Sequence, residues 1–136
     1  MKLSIISYIP LFLVMLIIYY IMTLAGVDFN AGGELFKIGL PSGAEWALTS
    51  SNLFILFCVI VLFIEIIKAT RSGSATIFEN GLSIIVFILC LMLFMLFKPA
   101  GTSTFLIMTL MSLLDSIAGF TITVIASRRD LNMNTN

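Results

Sequence analysis

The sequence predicts an all-α fold, a four-helix transmembrane bundle with both termini in the cytoplasm, and three observations predict it. The apolar residues fall in four long runs, the charges lie almost wholly between those runs, and the basic residues divide unequally between the two sides that the runs define. Of the 136 residues, 60% are hydrophobic and only 10% charged, whereas a soluble domain carries roughly a quarter charged residues to face water. Runs of about 18 or more apolar residues read as membrane spans. Residues 1–136 therefore read as a single integral membrane domain.

The first run covers about 3–24 and carries no charge between Lys2 and Asp28. Ser7 is a suitable helix cap, and Pro10 falls in the first turn, where a missing N–H costs little. Tyr8 and the pair Tyr19–Tyr20 stand near opposite ends, as interfacial aromatics do. A signal peptide competes, with Thr23 and Ala25 before the cleavage site, but the stretch exceeds the 7–15 residues of an h-region. A retained helix is the expectation.

The second span is expected at about 49–67, the third at 77–97 and the fourth at 103–126. Gly73 suits a helix C-cap, and Thr76 with Glu79 forms a capping box for the third helix. Lys98-Pro99-Ala100-Gly101 makes a tight turn, and Thr102 or Ser103 caps the fourth span. The tail from Arg128 is polar and expected to fray. Lys2, Lys68, Arg71, Arg128 and Arg129 share one side, Lys37 and Lys98 the other, so the positive-inside rule places both termini and the middle loop in the cytoplasm. The implied location is a bacterial inner membrane, crossed several times.

The loop 26–48 is the longest segment outside the spans. Phe36, Ile38 and Leu40 alternate with polar or small residues up to Pro41-Ser42-Gly43, and Ala44, Trp46 and Leu48 alternate after it. That is a hairpin pattern with Pro at the first central turn position. A small β-hairpin on the membrane surface, anchored by Trp46, is expected.

Charge and composition exclude several functions. Seven basic residues balance seven acidic ones, leaving no electrostatic footprint for nucleic acid. Histidine is absent, which removes the commonest general base and metal ligand. Cys58 and Cys90 lie in apolar runs without metal-ligand spacing and read as small core residues. No metal, cofactor or catalytic residue is expected, and the chain reads as no enzyme, since the spans lack paired acid and base groups.

Asp115 is the residue that demands an explanation. An Asp at a helix centre costs about 2.5–3.5 kcal/mol on insertion scales, so it faces protein and reads as a candidate polar site. At about 100° per residue, Thr109, Ser112, Ser116, Gly119, Thr123 and Ala126 share one face, with Asp115 at its edge. Small residues so spaced let helices approach closely and hydrogen-bond across. Two readings stay open: an ion or substrate site, or a neutral carboxyl that hydrogen-bonds serines or threonines and specifies helix pairing.

Ser51, Cys58 and Glu65 recur every seven residues on the second helix, as Thr76, Ser83 and Cys90 do on the third. An antiparallel pair would set Cys58 level with Cys90 and bring Glu65 against Ser83. Glu65 also stands one turn before Lys68, which favours an ion pair. Glu79 is assigned to capping.

In size and helix count the chain resembles the small multidrug resistance transporters, but its first helix lacks their working glutamate. It also resembles the four-helix subunits of tripartite carboxylate transporters in architecture alone. Pro41-Ser42-Gly43-Ala44, Phe63-Ile64-Glu65 and Ser127-Arg128-Arg129-Asp130 resemble segments of small four-helix inner-membrane proteins of the alphaproteobacterial type. That resemblance implies the architecture and the membrane, and it brings no activity. The expected partners are the lipid bilayer and a membrane-protein partner or a second copy of the chain. The expected function is a small accessory or assembly subunit docked through the fourth helix's small-residue face. The alternative is an oligomeric proton-coupled carrier or channel using Asp115.

Overall fold

Apolar runs dictate the architecture of the computed structural model, which describes residues 9–29, 33–70 and 74–134, the side chains of 74–76 and 130–134 excepted. Among the described residues four α-helices form: α1 (Leu11–Leu24), α2 (Ser50–Ala69), α3 (Ser74–Leu96) and α4 (Ser103–Asn134). A two-stranded sheet, β1 (Glu34–Gly39) and β2 (Glu45–Thr49), separates α1 from α2, and a 3-10 turn at Lys98–Ala100 joins α3 to α4. Within α2, α3 and α4 the stretches Ser50–Ala69, Ile77–Leu96 and Ser103–Arg129 are long and apolar enough to cross a membrane.

The first helix is shorter than the sequence suggested. Pro10 is its N-cap, with extended backbone and no side-chain cap bond, so the ring ends the helix rather than sitting inside it. Residues 1–8, with Ser7 and Tyr8, lie outside the described residues. At 1.5 Å per residue the 14 residues of α1 reach about 21 Å. The helix closes on Gly26 at φ +93°, with Ala25 N–H donating to Ile21 O and Val27 N–H to Met22 O. A left-handed glycine there lets the last carbonyls find donors.

Helix α3 begins at Ser74, three residues before the expected start, so Thr76 lies inside it and does not cap it. Gly73 lies outside the described residues. Helix α4 continues to Asn134, past the expected end near Ala126 and through the tail from Arg128 expected to fray.

The hairpin has the expected turn. Gly43 N–H donates to Leu40 O at 2.9 Å and Leu40 N–H to Ala44 O at 2.8 Å, with Pro41 at the first central position and Gly43 at φ +89°. A turn followed by a left-handed residue is a common three-residue hairpin closure, and glycine fills that position without steric cost. Thr49 ends β2 and caps α2 by accepting from Asn52 N–H at 3.1 Å, so strand passes into helix with no linker.

Helix arrangement corrects one expectation. Helices α2 and α3 do not form a close antiparallel seam; each lies chiefly against α4, which contacts both, while they touch one another little. Small side chains explain the choice. A methyl group on Gly119 of α4 would stand 2.6 Å from Asn80 Oδ1 of α3 and 3.7 Å from Ala69 Cβ of α2, so glycine makes room for the Asn80 side chain against the α4 backbone.

The core gathers where α1 meets the others. Tyr19 stacks on Phe29 at 4.5 Å and meets Phe54 and Phe105 edge-on at 5.5 and 4.9 Å. Its hydroxyl donates to Pro99 O at 3.0 Å and lies 2.7 Å from Thr102 Oγ1. A buried phenol keeps its place in an apolar core when its O–H finds such partners.

Candidate functional site

Four ionisable side chains converge where α2 ends and α3 begins, and α4 supplies the fourth. Glu65 and Lys68 come from the last turns of α2, Glu79 from the early part of α3, and Asp115 from the middle of α4. Their burial is nearly complete: Glu65 is 2% exposed, Glu79 7% and Asp115 5%. The Lys68 ammonium lies 3.1 Å from Glu65 Oε1 and 3.2 Å from Glu79 Oε1. Snorkelling to the interface does not account for Glu65, whose carboxyl is turned inward to hold these groups together.

The same charges terminate α1. The first N–H groups of a helix have no partner within it, and Pro10 offers no side chain for them. Leu11 N–H donates instead to Glu65 Oε1 at 3.0 Å, and Lys68 Nζ donates to Ile9 O at 3.1 Å. Glu65 thus caps a neighbouring helix, and a carboxylate suits the positive end of that helix's dipole.

Asp115 joins the cluster from α4. Its carboxyl lies within electrostatic range of the Ser83 hydroxyl of α3 and the Glu65 carboxyl of α2, and Glu65 stands in the same relation to Glu79. Asp115 thus stands near both Glu65 and Ser83. The direct contact across an α2–α3 seam that the heptad spacing suggested gives way to the intervening α4. Cys58 and Cys90, both fully buried, lie within electrostatic range of one another.

Two buried oxygens are unsatisfied. Among the described residues, Asp115 Oδ2 and Ser112 Oγ have no hydrogen-bond partner, although Ser112 is only 1% exposed. Residues three apart share a helix face, so both oxygens lie along the same side of α4. A buried group left unpaired costs about 1–3 kcal/mol, and one small guest with donor capacity would satisfy both at once. Among the described residues no group of three or more His, Cys, Asp or Glu is arranged to hold a metal ion.

The remaining polar residues of α4 serve its own backbone or α3. Ser116 Oγ donates to Ser112 O at 3.1 Å and Thr109 Oγ1 to Phe105 O at 2.9 Å. Asn80 Nδ2 donates to Gly119 O at 3.2 Å and to Thr123 Oγ1 at 2.7 Å. Thr109, Ser112, Ser116 and Gly119 are buried, and Thr123 half-buried, against the other helices. The small-residue face is thus taken up inside the molecule and is not an outward docking surface. Trp46 stands apart from the cluster, on the hairpin.

Sequence reasoning left Lys68 and Asn80 out of the site and gave Glu79 to capping. The signal was present: the register that sets Cys58 level with Cys90 also sets Lys68 level with Asn80, beside Glu79. No family model, no curated protein and no solved structure matches this chain.

Proposed function

We propose that the chain is a multi-pass protein of a bacterial inner membrane, working as an oligomeric proton-coupled carrier or channel with Asp115 as its coupling group. One observation carries the reading: two buried glutamates share the Lys68 ammonium, and buried Asp115 lies within electrostatic range of them, in segments apolar enough to lie in a bilayer. Carboxyls gathered this closely in apolar surroundings form a group along which a proton can be passed. Intramembrane carboxyls in such arrangements mark proton relays.

A four-crossing bundle with cytoplasmic termini is part of this reading. Helix α1 starts beside Glu65 and Lys68 and reaches Pro99 and Thr102 at the opposite end through Tyr19, so it runs alongside the three longer helices. The distribution of basic residues puts the cluster near the cytoplasmic face. At the other face, a cavity of about 230 Å³ is lined by Thr23, Asp28, Lys98 and Thr102 among others. Between that mouth and Asp115, α4 turns Thr109 and Ser112 inward, with Phe105 and Met108 fully buried alongside. Polar steps interrupted by apolar side chains are what a gated proton path needs, since water must be kept out between transfers. Four helices rarely enclose a pathway alone, which is why an oligomer is part of the reading. The accessory-subunit reading loses its physical ground, because the face assigned to docking is buried within the chain.

The test is proton flux. The full-length protein, reconstituted in vesicles with an internal pH dye and a potassium diffusion potential, should dissipate an imposed proton gradient. Asp115→Asn preserves shape and one hydrogen-bonding arm and should abolish that flux, while Ser112→Ala should slow it. Elution as a single species in mild detergent verifies that each variant folds. Wild-type flux no faster than that of empty vesicles, or equal flux in Asp115→Asn, overturns the reading. A stoichiometric partner protein retained from native membranes would restore the accessory-subunit assignment.

A further inference from the structure

The hairpin has two chemically different faces. Its register pairs Phe36 with Leu48 and Ile38 with Trp46, and side chains directly opposite one another share a face. Those four apolar residues therefore lie on one side, where the Phe36 and Trp46 rings meet edge-on at 6.4 Å. Lys37, opposite Ala47, and Glu45, opposite Gly39, lie on the other, with Lys37 Nζ 3.6 Å from Glu45 Oε2. The ribbon is amphipathic.

Its apolar face is covered in part. Leu48, beside the helices, is 7% exposed, whereas its partner Phe36 and the pair Ile38 and Trp46 are 49%, 45% and 38% exposed. The burial of Leu48 turns that face toward the helices, and the exposed side chains extend past what the helices cover, as an overhang. The ribbon is held at that height. Thr49 belongs to β2 and caps α2, Ser50 N–H donates to Gly33 O at 3.4 Å, and Ser51 Oγ donates to Phe29 O at 2.7 Å. Lifting the hairpin away would break the start of α2. What lies beneath an overhang beside membrane-crossing helices is lipid.

We propose that the hairpin seats Phe36, Ile38 and Trp46 in the headgroup–acyl boundary of the leaflet at its end of the bundle, with the Lys37–Glu45 pair facing water. This rests on the membrane-crossing reading and not on the proton chemistry. Aromatic rings favour that depth because one side can stay apolar while the polar edge reaches hydrated headgroups. The contact also supplies what an isolated two-stranded ribbon lacks, a surface to bury one face against.

Trp46 is the chain's sole tryptophan, so the native protein carries its own probe. The full-length protein is reconstituted in phosphatidylcholine vesicles brominated either near the acyl carbonyl or near the terminal methyl, and quenching by aqueous iodide is measured alongside. Expected is stronger quenching by the shallow bromine than by the deep one, with less iodide quenching than a free tryptophan amide shows. Ile38→Lys, which charges the seated face, should lower bromine quenching and raise iodide quenching. Full iodide access with no response to bromine would overturn the proposal, because the ribbon would stand in water. Protection from both quenchers would overturn it too, because protein would cover the face. Flotation with the vesicles separates the failures: a chain that stays behind refutes the membrane reading, and a chain that floats with an iodide-accessible Trp46 refutes the seat alone.

Discussion

Lys68→Met removes the charge on which the buried cluster is balanced. The substitution keeps an apolar stem and deletes an ammonium 3.1 Å from Glu65 Oε1, 3.2 Å from Glu79 Oε1 and 3.1 Å from Ile9 O. The Lys68, Glu65 and Glu79 side chains are 10%, 1% and 9% exposed, so water screens the pairs very little. Breaking a buried ion pair by removing one partner costs about 3–5 kcal/mol, because the charge left behind has nothing to compensate it. The orphaned Ile9 carbonyl adds about 1 kcal/mol. A loss of about 4–6 kcal/mol is expected. Glu79→Gln in the same chain should recover about 1–2 kcal/mol, within the interaction energies of residues in contact. The measurement is reversible unfolding of the full-length protein in mixed detergent micelles, followed by circular dichroism. A loss under about 1 kcal/mol, or no recovery with Glu79→Gln, would refute the ion-pair account.

Two further substitutions probe how the cluster is held in place. Gly119→Ala gains about 1 kcal/mol of helix propensity, yet its methyl would meet Asn80 Oδ1 at 2.6 Å and overpacking costs about 1–3 kcal/mol. A net loss of stability is expected in the same unfolding assay, and Asn80→Ala in that background should relieve most of the clash. Tyr19→Phe removes the hydroxyl that bridges α1 to Pro99 and Thr102, and about 1 kcal/mol should be lost, as for interhelical hydrogen bonds in membranes. Proton flux should survive Tyr19→Phe and fail in Asp115→Asn, which separates support from chemistry.

Local features of the fold were legible in the sequence, and the cluster was legible only in part. The Pro41–Gly43 turn and the approximate placing of α2 and α3 follow from interactions within a few residues of chain. Asp115 announced itself because its insertion cost has no local remedy. The contents of the cluster depend on which helices touch, and heptad spacing could not decide that. Ser83 and Glu65 were aligned correctly along their helices, but the spacing says nothing of a third helix entering between them. Gly119 and Asn80 make that entry possible, and their fit depends on a distance of a few ångströms across three segments. The start of α1 was misjudged for a similar reason: Pro10 is tolerable inside a first turn, but Glu65 and Lys68, more than fifty residues later in the chain, provide an alternative end.

Because α4 alone contacts both α2 and α3 closely, the molecule has an order of biogenesis written into it. A ribosome delivers α2 and α3 to the membrane with Glu65, Lys68, Glu79 and Asn80 already in place, and the residues that shelter them arrive last. Until Ser103–Asn134 emerges, the nascent chain shows lipid a set of polar side chains that a finished chain conceals. A product truncated before the fourth helix would be a natural substrate for membrane proteases, and completion of synthesis would be its release from surveillance.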